Sequence, residues 1–222
     1  MIIGNGLIAK ALHEIDNSDT VFFASGVSNS LETNPDNFKR EENLLVENLL
    51  QNQNNFFVYF STCSIYDSTK KESKYVLHKL KMENKIVQNS NKYLILRIGN
   101  VIGKGGNPNT MFNFFKNEII QGKSFIIQQN AKRLLLDIDD IPKFITNYQD
   151  NLKNKIINLS YPYNYSIKEI VHEISQKLNK KAYFEEINQG DYYKVSFEES
   201  ISQIFANFTP EEYLKNLINK HI

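Results

Sequence analysis

The sequence predicts an α/β chain: a parallel sheet with helices on both faces, closed by a small carboxyl-terminal α/β part. Three observations carry this. Runs such as Phe56–Phe60 (FFVYF) and Tyr93–Ile98 (YLILRI, with one Arg) are almost wholly apolar, as strands buried on both faces are, and lack the alternation of a half-exposed strand. Stretches with helical spacing of apolar residues lie between such runs. Strand and helix alternate through the first hundred residues, the order that builds a parallel sheet by crossover connections. At 222 residues the chain is long enough for one sizeable core and an appendage.

Met1-Ile2-Ile3 is a short apolar strand ending at Gly4-Asn5-Gly6. A helix is expected from Leu7 to Ile15, with Ile8, Leu12 and Ile15 on one face. Thr20 to Ala24 (TVFFA) is a buried strand, and Asn34-Pro35-Asp36 opens a helix running to about Gln51. The Phe56 strand, a helix from about Ser73 to Val87 and the Tyr93 strand follow. Further on, Asn109 to Gln121 and Asp140 to Tyr148 read as helices. Phe125 to Gln128, Leu134 to Ile138, Ile156 to Leu159 and Tyr183 to Ile187 read as strands. Ser166 with Glu169 forms a capping-box pattern, and Thr209-Pro210-Glu211-Glu212 is a helix start with Pro at its first position. The expected division is 1–150 for the main sheet and 151–222 for the small part, interleaved with 100–135.

Composition narrows the function. Lys plus Arg is 26 against 25 for Asp plus Glu, and no basic run is interleaved with aromatics, so nucleic acid is not an expected partner. The single Cys63 cannot form an internal disulfide, which suits a reducing, cytoplasmic setting. No apolar run is long enough to span a bilayer, and the apolar start leaves no room for a signal peptide. His13, His78, His172 and His221 have no metal-ligand spacing, so no metal is expected, and His78 is expected to face away from Lys79.

Three motifs suggest chemistry. Gly4-x-Gly6-x-x-Ala9 stands between a strand and a helix, where a dinucleotide turn belongs. The first glycine allows the tight turn and the second lets backbone approach a pyrophosphate. Tyr75 and Lys79, four apart, share a helix face. A nearby ammonium stabilises a phenolate, so Tyr75 could exchange a proton with a substrate oxygen near neutral pH. The hydroxyls of Phe60-Ser61-Thr62-Cys63-Ser64-Ile65-Tyr66 follow a strand's carboxyl end, where open α/β sheets bind ligands. Cys63 reads as a packing residue. The Tyr161, Tyr163, Tyr165 cluster reads as a loop packed on the core, with stacking on a base or sugar as the alternative.

In this order the segments resemble the extended short-chain dehydrogenase/reductases, the family of nucleotide-sugar epimerases, dehydratases and reductases. Gly4-Asn5-Gly6-Leu7-Ile8-Ala9 resembles the cofactor turn, and Asp19 to Gly26 the strand ending beside the cofactor. Phe60 to Tyr66 resembles the "SSxxVYG" segment, which places Thr62 as the catalytic Ser or Thr, and Tyr75 with Lys79 matches the catalytic pair. Leu96 to Gly103 resembles "LRxxNvyG", and Arg133 to Ile141 resembles "RDfvhVdDva". Ile157-Asn158-Leu159 with the Ser166 helix resembles the small substrate domain.

The resemblance implies a Rossmann-like fold and an NAD- or NADP-dependent enzyme on a nucleotide-linked sugar, as in surface polysaccharide biosynthesis. It implies Thr62, Tyr75 and Lys79 as catalytic residues. Cofactor contacts fall to Gly4, Asn5, Gly6, Leu7, Ile8, Ala24, Ser25, Tyr75 and Lys79, and substrate contacts to Ser64, Asn100 and Arg133. A homodimer through the helices flanking Phe56–Phe60 is also implied. The chain departs from the family in two places. Two strands and a helix that carry the adenine half are missing between Ile15 and Asp19, and no acidic residue stands in the ribose-binding place. The stretch from Cys63 to Lys74 is short, with Asp67 where the family carries Gly. Three readings stay open: a weakly held cofactor, an adenine site completed by a partner subunit, or a non-catalytic relative that binds a nucleotide sugar or a partner enzyme.

Overall fold

A computed structural model describes residues 1–105, 107–108, 110–148 and 151–222. The main sheet is fully parallel, in the order β1 (Ile2–Ile3), β2 (Thr20–Phe23), β3 (Phe56–Thr62), β4 (Tyr93–Ile98) and β9 (Lys155–Leu159). This is a Rossmann-like α/β sheet of reduced strand number. Its register explains the continuous apolar runs. Phe22, Val58 and Leu94 are aligned neighbours on one face, while Phe23, Tyr59 and Ile95 are aligned on the other. Both faces are covered, so neither set can be polar.

Helices α2 (Pro35–Gln51) and α3 (Lys74–Asn89) cover the second face, with Leu45, Leu49, Met82 and Ile86 packed on Val21, Phe23, Phe57, Tyr59 and Ile95. Asn34 caps α2 through the Asp36 N–H, and Ser73 caps α3 through the Val76 N–H. The opposite face is covered by α1 (Leu7–Ala11) and α5 (Asp140–Tyr148), which bury Phe22, Val58 and Leu94. The strand order makes the β1–α1–β2 and β2–α2–β3 steps run the same way along the sheet, yet on opposite faces. Their hands are therefore opposite. The α2 and α3 crossovers share a face and hence a hand. Such crossovers are right-handed in nearly all proteins, so the α1 step is the exception.

The remaining strands and α-helices are β5 (Asn100–Ile102), α4 (Met111–Gln121), β6 (Ser124–Gln128), β7 (Lys132–Arg133), β8 (Leu135–Asp137), β10 (Tyr165–Ser166), α6 (Ile167–Leu178), β11 (Tyr183–Ile187), α7 (Glu199–Ile204) and α8 (Pro210–His221), and 3-10 turns at Cys63–Tyr66 and Ser68–Lys70 follow β3. β5 pairs in parallel with β8, β6 in parallel with β11, and β7 antiparallel with β10. Both expected capping boxes, Ser166 with Glu169 and Thr209 with Glu212, are formed.

Several elements differ from the sequence expectations. The first helix ends at Ala11 and gives way to a single 3-10 turn, His13–Ile15, where the Asn17 side chain donates to the Ile15 carbonyl and closes the segment. The strand at Ile156 belongs to the main sheet beside β4, not to the carboxyl-terminal part, because Ile157 and Leu159 fill the same core as Leu96. Strand β5 and helix α7 carry no periodic signal in the sequence and are additions to the expected elements. The expected helix start at Asn109 and the boundary at residue 150 lie outside the described residues. Among the described residues no helix is long and apolar enough to cross a membrane.

Candidate active site

The carboxyl ends of β1, β2 and β3 bring the expected motifs together. Gly4 has φ +130, and a Cβ there would lie 2.5 Å from the Ala24 carbonyl oxygen, so only glycine fits. The Ala24 N–H in turn donates to the Ile3 carbonyl at 2.8 Å, which places the glycine turn against the end of β2. A Cβ on Gly6 would meet nothing, and Gly6 is exposed at the start of α1 without a side-chain cap. Asn5 is exposed too, while Leu7 and Ile8 are half-buried against the core. Ser25 is held by Arg40, whose guanidinium donates to both its hydroxyl (3.1 Å) and its carbonyl (2.9 Å).

Thr62 ends β3. Its hydroxyl accepts from the Ser64 N–H at 3.0 Å, and Tyr75 projects from the first turn of α3 near enough for Thr62 to act on its phenol. The pair expected from the motifs is thus assembled across two elements. Tyr75 is buried, and its phenol is pushed up to about 12 by desolvation. Thr62 pulls it down and the Glu41 charge adds to the rise. This direction is opposite to the lowering expected from Lys79.

The reason is where Lys79 points. Its ammonium donates to Glu41 Oε1 at 3.0 Å and to Tyr59 Oη at 3.2 Å, and it lies 6.0 Å from the centre of the Tyr75 ring. Glu41 is wholly buried and also accepts from Tyr59 Oη (2.7 Å) and from the Val27 N–H (2.6 Å). Burial alone would raise the Glu41 carboxyl. The Lys79 charge and these hydrogen bonds hold it at about 2. His78 joins the cluster, with Nε2 3.1 Å from Glu41 Oε2, whereas the sequence spacing puts it elsewhere on the helix. Gly26 makes the cluster possible: a Cβ there would come within 2.5 Å of Lys79 Nζ.

The expected substrate residues are engaged by the chain itself. Ser64 Oγ lies 3.3 Å from the Tyr193 hydroxyl, and Tyr193 is buried on Cys63 and Leu134. Arg133 donates to the Asp191 carbonyl at 3.1 Å, lies 3.8 Å from Asp67 and covers the Tyr193 ring. Asn100 donates to the Leu134 carbonyl at 3.0 Å, just before β8. Cys63 is a packing residue whose thiol burial pushes far up, and its Sγ contacts the Arg97 carbonyl. Tyr161 stacks on Tyr213 at 4.2 Å, and Tyr165 donates to the Pro210 carbonyl, so both serve the core.

Sequence reasoning missed Glu41 and Tyr193. A signal existed for the first. Glu41 shares its helix face with Leu45, Asn48 and Leu49, and an acid on a buried face needs a cationic partner. The Tyr193 segment has no regular structure, so nothing in its spacing reports where it lies. A second buried network also escaped notice: Arg97 grips Glu83 through Nε at 3.0 Å and through a second nitrogen at 2.6 Å, and Ser61 donates to the same carboxylate.

A search by sequence against curated proteins finds no match. Solved structures match the fold. UDP-glucose 4-epimerase of Thermus thermophilus, in complex with NAD, aligns with a TM-score of 0.70 at 15% identity, covering 96% of this chain and 80% of that one. UDP-glucuronic acid 4-epimerase of Bacillus cereus, with UDP-glucuronic acid and NAD, gives 0.70 at 18%, covering 96% and 76%. RMD of Pseudomonas aeruginosa, complexed with NADPH, gives 0.66 at 16%, covering 91% and 80%. The sequence profile of the NAD dependent epimerase/dehydratase family matches residues 4–160, well over half of the chain, and the chain belongs to that family.

Proposed function

We propose that this protein is an NAD(P)-dependent epimerase-, dehydratase- or reductase-type enzyme acting on a nucleotide-linked sugar. Thr62, Tyr75 and Lys79 form its reacting set. The observation that carries the reading is the placement of Thr62 beside the buried Tyr75 at the carboxyl end of β3, on the same edge of the sheet as the glycine turn. In this role Thr62 orients the reacting oxygen and Tyr75 exchanges a proton with it.

The residues fit one half of a dinucleotide. The backbone from Gly4 to Ile8, with Ala24 and Ser25, would hold the pyrophosphate and nicotinamide side, since Gly6 leaves open space for close approach. Beyond β1 no further strand is paired among the described residues, so the adenine side has no wall from this chain. When bound, the nicotinamide supplies hydride transfer. Lys79 would turn toward a ribose the one N–H that Glu41 and Tyr59 leave free.

A homodimer fits the exposed apolar residues Val46 and Leu50 on α2 and Leu77 and Val87 on α3. Its subunits would act in the cytoplasm, in surface polysaccharide synthesis. The test is a titration with NADH and with NADPH, followed by cofactor fluorescence. Binding of either supports the reading, and no binding at millimolar concentration removes it.

One observation favours a second reading, a non-catalytic relative that binds a nucleotide sugar or a partner enzyme. Tyr193 packs over Ser64 and Cys63, next to Thr62, so the chain itself fills that side of the candidate site. A chain that binds a nucleotide sugar but neither cofactor would establish it.

A further inference from the structure

Glu41 belongs to none of the motifs, yet it is the residue on which the candidate site is organised. It stands fully buried on a helix face whose other members pack into the core. Removing an ionised carboxylate from water costs several kcal/mol unless it is paired and hydrogen-bonded. Its pairing here is complete. Tyr59, Val27 and Lys79 all donate to it, and His78 lies alongside. Gly26 closes the other side of the Lys79 ammonium, so the ammonium is held between the Gly26 backbone and α2.

We propose that Glu41 is a positioning residue of this site: it takes up the charge of Lys79 and so keeps Tyr75 a protonated donor in the free protein. The proposal rests on the reading of Thr62, Tyr75 and Lys79 as the reacting set, and it specifies the proton state of that set. An uncompensated ammonium four residues along the helix would favour the phenolate. In this chain the ammonium is 3.0 Å from a carboxylate oxygen and 6.0 Å from the Tyr75 ring centre. The groups that face Tyr75 are Thr62 and Tyr59 from β3, Glu41 from α2 and Lys79 from its own helix. Burial and Glu41 both raise its phenol, and Thr62 alone opposes them. Tyr75 in this state gives a proton to a ligand oxygen and does not abstract one. A ligand that draws Lys79 away from Glu41 would switch it to a base.

The test is a pH titration of the full chain, free of cofactor, with tyrosine labelled by carbon-13 at Cζ. The Tyr75 signal is assigned by its loss in Tyr75→Phe. In the wild type the Tyr75 shift is expected to stay constant to about pH 10, the ordinary tyrosine value. In Glu41→Gln the proton affinity of Tyr75 is expected to fall by about tenfold or more, one pH unit. The double variant Glu41→Gln with Lys79→Met is expected to return it to the wild-type state. A wild-type Tyr75 that ionises near neutrality overturns the proposal without any variant. So does Glu41→Gln that folds and leaves the titration unchanged. If Glu41→Gln does not fold, Glu41→Asp keeps the charge but withdraws it from Lys79, and an unchanged Tyr75 there overturns the proposal. A chain that binds neither NADH nor NADPH would remove the redox reading and leave these titrations as they are, so the two failures are distinguishable.

Discussion

The Glu41 carboxylate and the Lys79 ammonium form a buried ion pair at 3.0 Å, each less than 4% exposed in its side chain. The pair ties α2 to α3 beneath the carboxyl end of β3, and the Tyr59 hydroxyl closes it by donating to Glu41 and accepting from Lys79. A lysine that the sequence motif assigns to a tyrosine four residues away thus has a carboxylate as its nearest charged partner.

Breaking this pair from one side is expected to be costly. Lys79→Met leaves a buried carboxylate without its counter-charge, and losses of about 3–5 kcal/mol are typical of such sites. Glu41→Gln with Lys79→Met should recover most of that, since neutral partners of similar shape replace both charges. Urea denaturation midpoints of the three proteins check this; a single variant as stable as the wild type would contradict it.

Acid should unfold the protein through the same pair. Glu41 is held at about 2 against an ordinary 4.5, so its stabilisation is complete above about pH 4.5 and is lost as pH falls toward 2. Asp137, also held at about 2 by His221 and Lys220 against the cost of burial, loses its contribution over the acid side of the same range. Stability measured stepwise downward from about pH 5 should fall in the wild type and fall less in the Glu41, Lys79 double variant.

The two glycines of the turn should separate folding from binding. Gly4→Ala places a Cβ 2.5 Å from the Ala24 carbonyl at φ +130, and a strained backbone of this kind costs about 1–3 kcal/mol. Gly6→Ala meets no atom and has φ −77, so its melting temperature should stay within a degree or two of the wild type, about what surface substitutions give. If a pyrophosphate approaches the Gly6 backbone, the added methyl should hold it off and weaken NADH or NADPH binding about tenfold or more, a change of about 1.4 kcal/mol. Parallel thermal melts and fluorescence titrations give both readouts.

Tyr193 can be separated into its ring and its hydroxyl. Tyr193→Phe removes the hydroxyl that meets Ser64 and should cost about 0.5–1.5 kcal/mol. Tyr193→Ala empties the space over Cys63 and Leu134 and should cost about 3–5 kcal/mol. If that space is the sugar site, Tyr193→Ala should bind UDP-sugars more tightly than Tyr193→Phe does, a difference that calorimetry would read directly.

Most of the fold is legible in the sequence because one physical rule governs it. A strand covered on both faces is apolar along nearly all its length, as TVFF, FFVYF and YLILRI are, and the charged Arg97 within the last is paired with Glu83. Helix starts are legible where a side chain satisfies the free N–H groups, as Asn34, Ser73, Ser166 and Thr209 do. Strand β5 and helix α7 are not, because three and six residues are too short to show a period. Lys155–Leu159 is recognisable as a strand but not as a neighbour of β4, since a sequence carries no address for a strand's partner.

By itself the sequence determined the parallel α/β sheet, its end at β1 among the described residues, and the joint placement of Gly4, Thr62 and Tyr75 at one edge of it. Those follow from local patterning and from motif order along the chain. The tertiary structure alone decided what Lys79 is paired with, which hand the α1 crossover takes and what lies over Ser64. Each depends on groups that meet in space but stand far apart in sequence: Lys79 with Glu41, α1 with the face opposite α2, and Ser64 with Tyr193. A spacing of four residues brings Tyr75 and Lys79 to one face of a helix, but the charges that face that helix from other elements set the proton each carries.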